Sequence, residues 1–284
     1  MKKTIYIVII SVITIFCIIA GSIYRFGDFN IGWGFPWGLG SNSAKISKTV
    51  SLEDFDNVNI DLNVMDIEIE EGSEASAYYE CSKEMYVPEI NVENGTLVIR
   101  QKKNKKFNIS NFGNIRCKML LTVPTGTDLK DFTLRNNTGD VIINGIECDE
   151  FKLEADTGDI KLTDCESDKT DIDNDTGDVK LIDCLLGICE IDGDTGDIKL
   201  SNCDFAPATG NISISNDTGD VDVEGCPDLG LYETDFSTDI GEVTVNGGDE
   251  SKHYKEDAVL ESNTDNIRKF TIKTDIGDVT VNQK

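Results

Sequence analysis

Residues 156–163 read DTGDIKLT, residues 175–182 read DTGDVKLI, and residues 194–201 read DTGDIKLS. Successive copies are 19 residues apart. A fixed period of this length is typical of stacked repeat arrays, in which each repeat buries its apolar face only against its neighbours. The repeat therefore predicts the architecture before any other feature of the chain is considered.

The glycine of this motif recurs through the second half of the chain, and its steps are 19, 19, 19, 23, 22 and 36 residues. It occupies Gly139, Gly158, Gly177, Gly196, Gly219, Gly241 and Gly277. Glycine enters left-handed backbone space without a Cβ clash, so we expect it to form a structural turn. We expect the Asp or Asn before each Thr-Gly to accept hydrogen bonds from turn amides and fix that turn.

Alternating strands flank each turn. After the Gly-Asp pair come an apolar, a polar and a second apolar residue, as in Ile160, Lys161 and Leu162. Such alternation indicates a strand with one buried face. A second alternating run precedes the turn, as in residues 151–155, so one unit holds two strands. The predicted fold class is all-β, a parallel β-solenoid wound by a single chain, and we expect right-handed coiling.

Four segments follow along the chain. Residues 136–284 are the repeat array, and residues 48–135 are a further β region that we expect to cap its N-terminal end. Within that region, residues 66–69 resemble a rung without its glycine, and Asn94-Gly95 predicts a hairpin. Residues 25–47 form a linker rich in glycine and aromatic residues, and residues 1–24 are the N-terminal segment.

The N-terminal segment predicts a transmembrane helix over Thr4–Tyr24, which carries no charged residue. About 20 apolar residues suffice to span a bilayer. The positive charges of Lys2 and Lys3 predict that the N-terminus lies in the cytoplasm and that the rest of the chain is exported. A cleavable signal peptide is the alternative, although its apolar region is normally shorter. We therefore expect a single-pass protein of the cell membrane with an extracytoplasmic C-terminal domain.

The charge of the chain restricts its partners. It has 53 acidic and 26 basic residues, for a formal net charge of −27. Such a charge argues against nucleic acid as a partner of the exported domain. It favours cations, whether metal ions or basic peptides.

The cysteines also follow the repeat. Cys165, Cys184, Cys203 and Cys226 each stand seven residues after a repeat glycine, so we expect one inward-facing column of small apolar side chains. Disulfides between stacked cysteines remain the alternative.

Catalytic motifs are missing from the sequence, which has no nucleophile elbow and no phosphate loop. The acidic residues recur identically in every repeat, whereas a catalytic pair should break the pattern at one place. We therefore expect no enzyme and no cofactor. A carbohydrate-active β-helix enzyme would require an isolated carboxylate pair in a groove.

Calcium is the one metal that the repeat suggests. Stacked carboxylates repel one another, and a bridging cation would relieve the repulsion. Turn amides could neutralise the same carboxylates, so both interpretations stay open. The candidate ligands are Asp140, Asp159, Asp178, Asp197 and Asp220, with a second column at Asp156, Asp175, Asp194 and Asp217.

The Thr-Gly-Asp repeats, the run Phe55-Asp56-Asn57-Val58 and the run of residues 94–99 resemble the "putative adhesin" β-solenoid family of Gram-positive bacteria. The resemblance covers about residues 48–284. It implies a membrane-anchored scaffold of the cell envelope that binds an envelope component or a protein partner. Some relatives belong to envelope-stress (Lia-type) operons, which implies the alternative of a sensing component that captures cationic peptides or signals to a membrane partner.

Overall fold

The computed structural model describes residues 46–102, 117–205, 210–226, 229–247, 252–255, 258–262 and 268–283. These residues form 24 strands and two short 3₁₀ turns, Glu84–Tyr86 and Leu229–Leu231. No helix in this part of the chain is long and apolar enough to cross a membrane. The predicted span Thr4–Tyr24 lies outside the described residues. The all-β prediction is confirmed.

The strands of the first half are β1 (Ile46–Ser51), β2 (Asn57–Leu62), β3 (Asp66–Gly72), β4 (Ser76–Cys81), β5 (Glu89–Glu93), β6 (Thr96–Arg100), β7 (Cys117–Pro124), β8 (Leu129–Asn136), β9 (Val141–Asn144), β10 (Glu147–Ala155), β11 (Ile160–Thr163) and β12 (Glu166–Thr176). Those of the second half are β13 (Val179–Ile182), β14 (Leu185–Thr195), β15 (Ile198–Ser201), β16 (Asp204–Phe205), β17 (Ile212–Thr218), β18 (Val221–Cys226), β19 (Glu233–Ile240), β20 (Glu242–Asn246), β21 (Lys252–Lys255), β22 (Ala258–Ser262), β23 (Lys269–Ile276) and β24 (Val279–Gln283).

The strands form two sheets, and each repeat contributes one strand to each. Sheet A has the order β1-β4-β7-β3-β9-β11-β13-β15-β18-β24-β20-β21. Sheet B has the order β22-β19-β23-β17-β14-β12-β10-β8-β2-β6-β5, with β16 beside β14. Each rung that carries a repeat glycine therefore crosses from sheet B to sheet A at the turn that contains this glycine.

Equivalent residues of the repeats lie side by side. In sheet B, Phe151 pairs with Thr170 and Thr170 with Cys189, in parallel register. Sheet A shows the same 19-residue offset, since Ile160 pairs with Val179. The apolar residues of the alternating strands point between the sheets, where Leu162 and its equivalents are fully buried. The parallel stacking that the period predicts is thus present, and right-handed coiling stays a prediction.

At both ends of the array the spatial order departs from the chain order. The rung β23–β24 lies between β17–β18 and β19–β20, so the last glycines stack in the order Gly219, Gly277, Gly241. The short strands β21 and β22 pair antiparallel with β20 and β19 and cover that end. Unpaired strand edges invite association with other chains, and such cover limits it.

Residues 48–135, the region expected to cap the array, contain one complete rung and several covering strands. The rung β2–β3 pairs in parallel with β8–β9, and Met65 takes the place of the turn glycine. Antiparallel strands β1, β4 and β5 form the N-terminal edge. The hairpin predicted at Asn94-Gly95 is confirmed as β5–β6. The boundary at residue 136 coincides with the last residue of β8, inside the first Thr-Gly-Asp rung.

Candidate functional site

The turn glycines form a closely stacked column. Their φ angles run from +123° to +159°, far from the left-handed helical value of about +57°. This extended positive-φ region is almost exclusive to glycine. A Cβ on Gly177 would lie 2.0 Å from the carbonyl oxygen of Gly158, and the other turn glycines show the same contact with the preceding rung. The glycine is therefore required by conformation and by stacking together.

Backbone hydrogen bonds join the turns from rung to rung, and side chains repeat the pattern. The Asp178 N–H donates to Oδ1 of Asp159 at 2.9 Å, and the Asp197 N–H donates to Oδ1 of Asp178 at 3.1 Å. The same bond joins the other rungs, from Asp140 to the terminal Glu242. The Asp after each glycine is thus an acceptor for its neighbour.

This ladder corrects the expected turn chemistry. The residues before the Thr-Gly pair were expected to accept bonds from turn amides. Among the described residues, the carboxylates of Asp156, Asp175, Asp194 and Asp217 accept no hydrogen bond, although the Asp156 N–H donates to the Asn136 carbonyl oxygen. The stabilising carboxylate is instead the one that follows the glycine.

The calcium candidates belong to the same ladder. Asp140, Asp159, Asp178, Asp197 and Asp220 each use Oδ1 for a backbone N–H of the next rung. The second oxygen of Asp178 is 2.9 Å from the Lys180 ammonium group. Within the described residues, no group of three or more His, Cys, Asp or Glu side chains is arranged to hold a metal ion. Structural calcium stays a prediction without a site to support it.

Substitution of Asp178 distinguishes a hydrogen-bonding role of its carboxylate from a calcium-binding role. Asp178→Ala leaves the Asp197 N–H without its acceptor and is expected to cost about 1–2 kcal/mol of unfolding free energy. Asp178→Asn keeps an oxygen at this place and should change stability by less than about 0.5 kcal/mol. Thermal melts of both variants, with calcium and with chelator, check this. Calcium stabilisation that Asp178→Asn abolishes would contradict the hydrogen-bonding role.

A column of buried asparagines lies inside the turns, and the sequence patterns described above did not predict it. Asn136, Asn174 and Asn216 are at most 2% exposed. Asn174 donates from Nδ2 to the Gly177 carbonyl at 2.9 Å, and Asn216 donates to the Gly196 carbonyl. Small residues, Ala155 and Gly193, alternate with the asparagines in this column. The signal was present, because each Asn stands three residues before a repeat glycine.

An acidic patch forms on the outer surface of sheet B, at Asp171 and Asp173 of β12 and Glu190 and Asp192 of β14. Asp171 pairs in register with Glu190, and Asp173 with Asp192, at the strand spacing of about 4.8 Å. Asp171 is 3.3 Å from the Lys152 ammonium group. Among the described residues, the other three carboxylates have no ion pair. The parallel register of β12 and β14 holds these carboxylates side by side.

Partial burial and the crowding of carboxylates both shift the pKa values in the patch. Burial, followed by repulsion from neighbouring carboxylates, raises the pKa of Asp173 and that of Asp192 above the ordinary aspartate value. The negative form of each side chain is therefore disfavoured in the folded protein. A cation bound over the patch would relieve that repulsion.

The raised pKa values predict a pH dependence. The folded protein binds more protons than the unfolded chain between the ordinary aspartate pKa and the raised one, so stability falls as pH rises through that window. Asp192→Asn should stabilise the protein at pH 7 by up to about 0.5 kcal/mol, because the side chain is solvent-screened. Denaturant titrations at neutral and acidic pH check this. The gain should vanish at acidic pH, and Glu147→Gln, an exposed control, should show none.

Beside the patch, sheet B carries an open polar groove of about 510 Å³ lined by Asn57, Asn59, Asp131, Glu150 and Lys152, among others. Asp131 and Glu150 are neighbours on adjacent strands. Glu150 is paired with the Lys169 ammonium group at 2.5 Å. This carboxylate pair is the only basis in the described residues for the carbohydrate-active alternative.

The cysteine column is confirmed for the residues whose side chains are described. Cys165, Cys184 and Cys203 are 1–2% exposed and are free thiols. Each donates its S–H to a backbone carbonyl, as Cys184 does to Ile182 at 3.3 Å. The side chain of Cys226 lies outside the described residues.

One protein-family model matches most of this chain. The family model described as "Toastrack DUF4097" matches residues 55–282. No curated protein matches the chain.

Several solved structures are similar to this chain at low sequence identity. One is a "putative cell adhesion protein" from Clostridium sporogenes, 16% identical with a TM-score of 0.37, covering 84% of this chain and 99% of that one. A "putative adhesin" from Bacteroides fragilis is 15% identical with a TM-score of 0.42, covering 84% and 97%. A "putative lipid binding protein" from Parabacteroides distasonis is 15% identical with a TM-score of 0.26, covering 84% and 98%.

Proposed function

Because this chain belongs to the Toastrack DUF4097 family, we propose that it is a binding scaffold of the cell envelope, held in the membrane by Thr4–Tyr24, whose acidic patch binds a cationic partner. The observation that carries the proposal is the set of in-register carboxylates, of which three, Asp173, Glu190 and Asp192, have no ion pair among the described residues. Towards the N-terminal end of the same sheet, acidic side chains are neutralised, as Glu154 is by Arg135 at 3.2 Å. The acidic patch therefore carries negative charge that a cationic partner would neutralise.

The opposite surface supports a one-sided interaction. Lys161, Lys180 and Lys199 lie in register on the outer surface of sheet A. Lys180 and Lys199 are paired with Asp178 and Glu224. A basic partner is thus attracted to the unpaired carboxylates of sheet B more than to sheet A, where Asp178 and Glu224 already have lysine partners. Attraction of this kind steers association and weakens as salt screens it.

Binding at the patch is testable with a basic amphipathic peptide. Calorimetry should show that Asp173→Asn combined with Asp192→Asn weakens affinity about tenfold, which corresponds to about 1.4 kcal/mol. The matched control, Glu53→Gln combined with Glu147→Gln, removes the same charge from exposed sites elsewhere and should change affinity less than about twofold. Equal losses, or complete loss of binding at moderate salt for every variant, would reduce the interaction to nonspecific electrostatics.

The location is tested separately. We expect a protease added to intact cells to remove the β domain, because the proposed anchor exports everything after Tyr24. Cells permeabilised before treatment provide the control for protease access. Protection of the domain on intact cells would contradict the extracytoplasmic part of the proposal.

A second candidate function is envelope-stress sensing, in the manner of the Lia-type relatives. The same acidic patch favours it, because capture of a cationic peptide would be its first step. It differs in requiring a membrane partner that responds to the occupied domain. Crosslinking in cells before and after peptide addition would distinguish it, since a scaffold alone gives the same crosslinks in both conditions.

A further inference from the structure

Two cysteines outside the repeat column face each other across an antiparallel strand pair. Cys81 of β4 is directly opposite Cys117 of β7, and the two are 0% and 2% exposed. Directly opposite residues of antiparallel strands have Cα atoms about 4.5 or 5.5 Å apart. Both distances lie within the range of about 4.4–6.8 Å that a disulfide spans. A bridge can therefore form here without displacement of the strands.

The side chains also point towards each other. The Cys81 thiol contacts the Cys117 sulfur and lies 3.4 Å from the Tyr86 carbonyl oxygen. Hydrogen bonds from the Cys81 thiol and from the Ser82 N–H lower the pKa of Cys117. The thiolate is the attacking species in disulfide exchange, so Cys117 is suited to react first.

We propose that Cys81 and Cys117 are a disulfide-forming pair that closes when the domain meets an oxidising environment, and thereby ties β4, which lies next to the edge strand β1, to the array. That the pair meets such an environment in cells rests on the proposed extracytoplasmic location. The Cys117 thiolate attacks an external disulfide and releases one thiol, and the Cys81 thiolate then attacks the mixed disulfide and releases the second. Both cysteine protons and two electrons pass to the external disulfide, which leaves as two thiols.

The thiols of the repeat column are less suited to this reaction. Cys165, Cys184 and Cys203 lie in the middle of the array, where exposure requires opening of several rungs. Cys81 is the last residue of β4 and Cys117 the first of β7, so opening of the strand ends is enough to admit an oxidant. The bridge would join residues 36 positions apart and enclose the hairpin β5–β6.

Peptide mapping of the full-length chain tests the pair directly. The protein is purified in detergent under reducing conditions, transferred to an oxidising glutathione buffer, alkylated, and digested without reductant. We expect the Cys81 peptide linked to the Cys117 peptide, with the repeat-column cysteines alkylated. Alkylation of both Cys81 and Cys117, or linkage of either to another cysteine, would overturn the proposal.

Thermal melting distinguishes stabilisation by the Cys81–Cys117 bridge from stabilisation by side-chain packing. Reductant should lower the melting temperature of the oxidised wild type by roughly 5–10 °C. Cys189→Ala, which truncates a buried thiol elsewhere, should keep that response, and Cys117→Ala should lose it. An identical response of all three proteins would refute the bridge. Because the glutathione experiment does not depend on location, protease protection on intact cells would defeat the proposed function and leave the linked peptide as evidence for the pair.

Discussion

Gly177→Ala is expected to cost about 4 kcal/mol or more of unfolding free energy, which is a large part of the 5–15 kcal/mol of an ordinary domain. Alanine is disfavoured at a φ of +140°, and its Cβ would lie 2.0 Å from the Gly158 carbonyl oxygen. That oxygen belongs to the backbone of the preceding rung, so no side-chain rotation can relieve the contact. Urea denaturation of the β domain measures the loss, and a low soluble yield would have the same cause.

Gly126 provides the matched control. It has a φ of +79°, and a Cβ there would meet no atom within 4 Å. Gly126→Ala should therefore show only the conformational penalty, about 1–2 kcal/mol. The difference between the two variants combines the close stacking of rungs with the less favourable φ of Gly177. If both variants lost the same amount, neither the stacking nor the φ of +140° would add to the ordinary cost of a left-handed residue.

Phe270→Ala is expected to have the second largest effect, a loss of about 3–5 kcal/mol. Phe270 is fully buried on β23, and its ring centroid lies 5.2 Å from that of Phe236 and 5.9 Å from that of Tyr232. Truncation would leave a cavity between two rungs that the remaining aromatic rings cannot close. The urea midpoint should fall with little change in the slope of the transition.

This variant also tests the order of the rungs. An interior β23 has a neighbouring strand on each side, β17 and β19, whereas the last rung of a chain-ordered array would have only one. Leu231→Ala, at a side chain that is 50% exposed, is the control and should change stability by less than about 0.5 kcal/mol. A loss below about 1 kcal/mol for Phe270→Ala would argue that β23 is not an interior strand.

The candidate site could be predicted only in part. The period places Asp178 and its equivalents in one column, and that placement is correct. The acidic patch could not be read from the repeat, because Asp173 and Asp192 belong to the more variable strand before the turn. Their proximity depends on the parallel register of β12 and β14. The Cys81 and Cys117 pair depends in the same way on antiparallel pairing across 36 residues.

The sequence by itself determined the all-β class, the two strands of each repeat, the turn glycines and the inward column of cysteines. These follow from local rules, since alternation selects the buried face and a fixed period brings each residue next to its copy. The tertiary structure decided the rest. It placed β23–β24 between rungs that precede it in the chain, and it assigned the turn-stabilising role to the Asp after each glycine. Both outcomes depend on which backbone groups find partners on a neighbouring rung, and a single repeat carries no information about its neighbour.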